Sequence, residues 1–169
     1  MRAFAGGLLS GLAHSPTLAI RDYSGQVTFT PGSLADASLE VRVKADSLVL
    51  QDNVSDKDRR EIERTMKEEV LEVARFQEIA FTSRQVSGTR LGDTLYAVKL
   101  EGDLSLHGVT RRQAFNPQMT LAEDTLRAYG EFLLRQSDFN IKLVSVAGGV
   151  VKVKDELKVS FDIVAGKQG

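Results

Sequence analysis

Apolar and polar residues alternate with a period of two along most of this chain. Leu39, Val41 and Val43 are interleaved with Glu40, Arg42 and Lys44. Tyr96, Val98, Leu100, Leu104 and Leu106 are interleaved with Lys99, Glu101, Asp103 and Ser105. Leu157, Val159, Phe161 and Ile163 are interleaved with Lys158, Ser160 and Asp162. Successive side chains of a strand point to opposite faces, so each run predicts a strand with one apolar face and one wet face. Shorter runs at Val27 and Phe29, Ile79 and Phe81, Phe115 to Leu121, and Leu126 to Leu134 add further strands. Breaks are expected at Pro31-Gly32, Ser87-Gly88, Gly92-Asp93, Glu123-Asp124 and Gly148-Gly149, where turn-forming residues cluster.

One segment follows a helical period instead. From Ser55 to about Ala74, the residues Ile62, Met66, Val70 and Val73 or Ala74 recur on one side, with Arg59, Arg60, Glu63, Arg64, Glu68 and Glu72 on the others. Ser55 and Asp58 have the spacing of a capping box, with Asp in place of Glu or Gln. The pattern predicts a long amphipathic helix over 55–74, a rod of roughly 30 Å, with a solvated charged face and its apolar face on the sheet. The sum is an all-β chain of about eight antiparallel strands plus one helix. Closing such a sheet removes its two exposed edges, so a barrel is expected, with a two-sheet sandwich as the alternative. No repeat or linker divides the 169 residues, which predicts one domain over 1–169.

Charge removes one class of partner. Lys and Arg number 22 against 23 for Asp and Glu, so no basic excess exists to neutralise phosphates, and a nucleic-acid partner is not expected. The absence of cysteine excludes disulfides, thiolate nucleophiles and cysteine-ligated zinc. No apolar run reaches bilayer-spanning length, so no integral membrane segment is expected. The opening MRAFAGGLLSGLAHSPTLA is too diluted by Gly6, Gly7, Ser10 and Gly11 to favour a secretory signal, and a first strand is the preferred reading. Cytoplasmic localisation is expected, with the periplasm as the alternative.

Candidate chemistry is sparse. His107 ends an alternating strand and precedes Gly108, which predicts a residue that shapes a hairpin turn. As a base or metal ligand it would need partners, and His14 is the only other histidine. Asp22, Ser24 and His14 could suggest a nucleophile with its base. However, no Gly-x-Ser-x-Gly elbow surrounds Ser24, and Ser24-Gly25 fits a bulge or tight turn. Gly6-Gly7 and Gly148-Gly149 lack the spacing of a phosphate loop and fit bends in a curved sheet. No catalytic residue, metal or cofactor is expected.

Several segments in this order resemble the YceI-like family, whose members are polyisoprenoid-binding proteins with a lipocalin-like barrel. GDLSLHGVTR at 102–111 resembles the family's hairpin signature, and IRDYSGQVTF at 20–29 is similar to its early strand. DKDRREIERTMKEEVLEVARFQEIAF at 56–81 stands where the family has a helix and then a strand. RQSDFNIK at 135–142 is similar to a later element, with Asn140 where the family usually has glycine. Alternation alone leaves open whether an eight-stranded barrel is filled or hollow. The resemblance implies an elongated apolar tunnel that holds a quinone or polyprenyl chain without catalysis. On that reading Phe29, Val41, Phe81, Val98, Leu100, Phe132 and Phe161 are the candidate wall, and Met66 joins them if the helix is a lid. An enzyme acting on such a lipid, and a filled barrel serving as an interaction module, are the alternatives. A homodimer is left open.

Overall fold

In the computed structural model the described residues are 2–6, 16–30, 33–122, 124–146 and 151–166. His14, Pro31-Gly32 and Gly148-Gly149, all singled out in the sequence, lie outside them, as does Gly7. The strands are β1 (Arg2–Gly6), β2 (Leu18–Ile20), β3 (Tyr23–Thr30), β4 (Ser33–Lys44) and β5 (Leu48–Leu50), followed by helix α1 (Asp56–Thr65). After it come β6 (Glu78–Arg90), β7 (Leu95–Leu106), β8 (Val109–Phe115), β9 (Gln118–Ala122), β10 (Thr125–Arg135), β11 (Ser145–Val146) and β12 (Val151–Gly166). The protein is mostly β, an antiparallel sheet curled into a half-barrel of lipocalin-like fold. Its ladder order is β1-β12-β10-β9-β7-β6-β4-β3, with β8 also on β7 and β11 on β12, while β2 and β5 form a separate pair.

The ladder path holds eight strands, the number expected, and β8 continues β9 along β7. Leu100 pairs with Phe115 and Ala97 with Gln118, so both segments keep one register along β7. The interruption falls at Asn116-Pro117, where proline has no N–H to give the ladder. The Pro117 carbonyl still accepts from Val98 N at 3.0 Å.

Two expected breaks are instead continuous strand. Ser87 and Gly88 pair with Lys99 and Val98 inside β6. A Cβ on Gly88 would stand 2.6 Å from the Ala97 carbonyl and 2.8 Å from a Leu34 methyl, so glycine there gives close approach rather than a turn. Ser24 and Gly25 likewise pair in regular register with Arg42 and Val41, and the irregularity in β3 falls later, between Thr28 and Thr30.

One end of the half-barrel is capped. The Ser55 hydroxyl accepts from Asp58 N at 3.2 Å and starts α1 as expected. The helix nevertheless ends earlier than Ala74. Its last turn, Met66–Val70, widens to a π-turn in which Leu71 N donates to Met66 O. The wider turn rotates the apolar face: Met66 and Leu71 are buried, whereas Ile62 is 37% exposed. Nor is the charged face simply solvated. Glu63 Oε1 accepts from Leu50 N at 2.9 Å, and the Arg59 guanidinium donates to the carbonyls of Leu50 and Asp52, so two charged side chains tie α1 to β5.

At the same end, β7 turns into β8 through His107-Gly108, both at positive φ (51° and 73°), with Leu106 paired to Val109. That is the two-residue turn whose twist suits a hairpin. Nearby, Asn140 is left-handed (φ 56°) and closes the short turn Gln136–Phe139, a conformation asparagine tolerates better than most residues. Asp155 braces this turn by accepting from Ser137 N at 2.7 Å and from its hydroxyl at 2.6 Å, and these bonds hold its carboxyl below the usual range.

Gly108→Ala should lower the free energy of unfolding by more than about 1 kcal/mol in urea titration, because it adds strain at positive φ. The added Cβ would also stand 2.6 Å from the Phe76 ring. A depressed carboxyl stabilises the fold above its unfolded value and loses that effect as pH falls through its folded value. Melting temperature should therefore drop as pH falls below about 4, and Asp155→Asn should show a smaller drop over that interval.

Candidate functional site

The inward rows divide the interior into two parts. Toward the cap it is solid: Leu104, Leu106, Leu134, Leu157, Phe139, Ile141, Leu48, Leu50, Met66 and Leu71 are all buried. Toward the opposite end, where β6 turns into β7 and β9 into β10, lies an apolar cavity of about 250 Å³. It runs alongside β3 on one flank and the last residues of β12 on the other, with Tyr23 and Val164 on its lining. Val164, 65% exposed, and Tyr23, more than half exposed, mark its opening to solvent.

Five of the eight residues singled out in the sequence line this cavity: Phe29, Val41, Val98, Leu100 and Phe161. The alternation of β7 places Val98 and Leu100 inward, and that of β12 does the same for Phe161. Phe81 and Phe132 lie outside the lining, against the ring of Phe115. Phe81 meets it tilted at 5.1 Å, and Phe132 stacks on it at 5.0 Å. Met66 is in the solid half rather than on the cavity wall. The π-turn buries it in the core, and α1 caps the filled end, so the helix does not cover the cavity as a lid.

The sequence reading missed Phe115, Met119, Leu126 and Ala128, which also line the cavity. Phe115 and Met119 belong to one inward row, but Pro117 between them breaks the look of a strand. Their signal was the four-residue spacing, an even number that keeps both on one face.

The titratable candidates are occupied elsewhere. Asp22 pairs with Lys44 Nζ at 2.6 Å on the surface. The His107 side chain is 8% exposed and sits against the Phe76 ring, with centroids 4.4 Å apart. Its Nε2 lies 2.9 Å from Glu72 Oε2 and its Nδ1 lies 3.2 Å from the Phe139 carbonyl. Both contacts are hydrogen bonds only when each nitrogen carries a proton, since both partners are acceptors. Arg75 lowers the Glu72 carboxyl below its usual range, and the His107 hydrogen bond adds to this. His107 thus shapes the hairpin turn and also fastens it to the end of the helical segment and to the Gln136–Phe139 turn. None of these groups lines the cavity. Among the described residues, no three of His, Asp and Glu converge as metal ligands. No helix among them is long and apolar enough to cross a membrane.

Residues 8–165 match the family model of the YceI-like domain. No curated protein matches the sequence. The fold is similar to that of a polyisoprenoid-binding domain from Saccharophagus degradans implicated in plant cell wall breakdown. The two share 14% identity at a TM-score of 0.70, over 99% of this chain and 92% of that one. It is also similar to Burkholderia cenocepacia BcnA, with 18% identity and a TM-score of 0.69 over 97% and 95% of the chains. A Campylobacter jejuni YceI protein superposes with 13% identity and a TM-score of 0.66, over 90% and 85%.

His107→Ala removes the imidazole contacts to the Phe139 carbonyl and Glu72 and leaves both without that partner. It should cost about 1–3 kcal/mol in chemical denaturation. The folded fraction of the variant should bind apolar dyes in the cavity as the parent does, because His107 is not part of its lining.

Proposed function

Because the chain belongs to the YceI-like family, we propose that it binds an apolar isoprenoid lipid, a quinone or polyprenyl chain, inside the curled sheet. In this reading it carries or sequesters the lipid and does not transform it. The observation that carries the reading is the hollow half of the interior, where aliphatic and aromatic side chains face a shared space. The polyisoprenoid-binding domain of Saccharophagus degradans, similar in fold, points the same way.

The physics of such a site favours a hydrocarbon tail. Each CH₂ group taken out of water contributes about 0.8 kcal/mol, so a tail with ten buried groups gains roughly 8 kcal/mol before the cost of association. No charged anchor is needed for that gain. The contribution is spread along the tail, which suits a carrier that must release its cargo intact. A binding role also agrees with the disposition of the polar candidates. An acid, a base and a nucleophile would have to act together on a lipid in the cavity, yet Ser24 lines it while Asp22 is held by Lys44 and His107 is fixed in the cap.

Native mass spectrometry of freshly purified protein, followed by solvent extraction, tests the reading directly. A stoichiometric apolar molecule of prenyl type is expected. Added prenols or quinones at about 100 times their dissociation constant should stabilise the fold by about 2.7 kcal/mol, visible as a rise in melting temperature. An apo mass together with no thermal shift from any prenol or quinone would overturn it and leave a filled-core interaction module.

A further inference from the structure

We propose that an aromatic floor built on Phe115 limits the length of isoprenoid tail this protein buries to about that of a farnesyl group. The inference rests on the lipid-binding reading above and adds a chain-length class to it.

Four phenylalanines from four strands meet at one level of the half-barrel. Phe115 is their centre, with Phe81 tilted against it at 5.1 Å, Phe132 stacked at 5.0 Å and Phe161 edge-on at 5.6 Å. Phe115 and Phe161 face the cavity, while Phe81 and Phe132 do not. The rings therefore form a partition with the hollow on one side and the packed core on the other. Two glycines make room for it. A Cβ on Gly102 would stand 2.5 Å from the Phe81 ring, and one on Gly130 would stand 3.1 Å from the Phe161 ring. Beyond the partition Leu104 and Leu134 are buried, and neither touches the cavity.

The space above the floor is short. From Phe161 to Gly166, β12 advances about 17 Å at roughly 3.3 Å per residue. With the tilt of strands in a barrel, this is about 13 Å of depth along the axis. Carbon–carbon bonds of about 1.5 Å advance an extended chain by roughly 1.25 Å each, so about ten bonds fit. That is close to the main chain of a farnesyl group. The volume agrees: about 250 Å³ falls just below the range of roughly 300–1,000 Å³ usual for small-molecule pockets. The remaining units of a longer tail stay in water as they do in the free lipid, so they add nothing to the binding gain, which levels off at about farnesyl length.

The test is competition among geraniol, farnesol, geranylgeraniol and solanesol, mixed in equal amounts and read by native mass spectrometry. The parent protein should hold farnesol over geraniol by about tenfold or more, a difference of roughly 1.4 kcal/mol, and should favour geranylgeraniol or solanesol over farnesol by less than about threefold. Phe115→Ala opens the floor and should move the preference to geranylgeraniol or solanesol by about tenfold. Ala128→Leu fills the cavity above the floor and should move it toward geraniol. Should Phe115→Ala fail to fold by circular dichroism, Phe115→Leu and Ala128→Leu carry the test. Geranylgeraniol or solanesol bound by the parent over farnesol by about tenfold or more would overturn the floor, as would folded variants whose preference matches the parent's. Binding of no prenol at all by the parent would overturn the lipid-binding reading itself, and the floor with it.

Discussion

The packing of four rings around Phe115 is the contact on which the rest of the interior depends. A curled sheet of fixed strand number encloses a nearly fixed volume, and each level of inward side chains either fills its share or leaves it open. At the Phe115 level the rings fill it, and the small inward residues Gly102 and Gly130 are what allow rings of that size to fit. Toward the cap, leucines, Met66 and Phe139 continue the solid packing. Away from the cap, Val98, Ala128 and Ile163 are too small or too widely spaced to meet across the interior, and the hollow results. One barrel-like interior thus does two jobs at different heights. Its closed half supplies stability and its open half leaves an apolar hollow.

The closed half is held by contacts that join distant stretches of sequence. His107 touches Glu72 and the Phe139 carbonyl, at separations of 35 and 32 residues. Asp155 holds Ser137, and Arg59 and Glu63 hold β5. These polar contacts are local in space, directional and mostly charge-assisted, so they fix how the cap sits on the sheet in a way that apolar packing alone does not. Because none of them reaches the hollow, the site can be altered without loosening the cap.

The strands were legible because alternation survives in a sheet with one wet face. β7 is the clearest case: Tyr96 to Leu106 are buried at every second position. The turn at His107-Gly108 was legible too, since two residues between alternating runs ask for positive φ and glycine supplies it. Where the reading slipped, long-range packing overrode local pattern. Gly88 looks like a break, yet it lies mid-strand because Leu34 and the Ala97 carbonyl press on it. The helix looks twenty residues long, yet it ends in a π-turn that keeps Met66 buried as expected, leaves Ile62 exposed and adds Leu71 to the core. The cavity wall was half legible. Inward rows can be read from a period of two, but the height at which the interior stops being filled depends on which side chains meet across it. That is why Val98 and Leu100 were named while Phe115, hidden behind Pro117, was not.

A hollow of this kind has an energetic consequence that bears on function. Apolar void costs about 24 cal/mol for each Å³. A dry space of about 250 Å³ would therefore withdraw on the order of 6 kcal/mol from the fold. That is comparable with the whole stability of an ordinary domain. Water entering at Tyr23 and Val164 lowers that cost, but it finds few polar partners on these walls. An apolar tail restores the missing contacts along its entire length. It also requires no change in the cap, whose polar contacts lie on the far side of the aromatic rings. The same residues that leave the space open, small or short side chains at inward positions of β7, β10 and β12, are those that a filled core would have replaced with larger ones. Their presence supports the binding role proposed above.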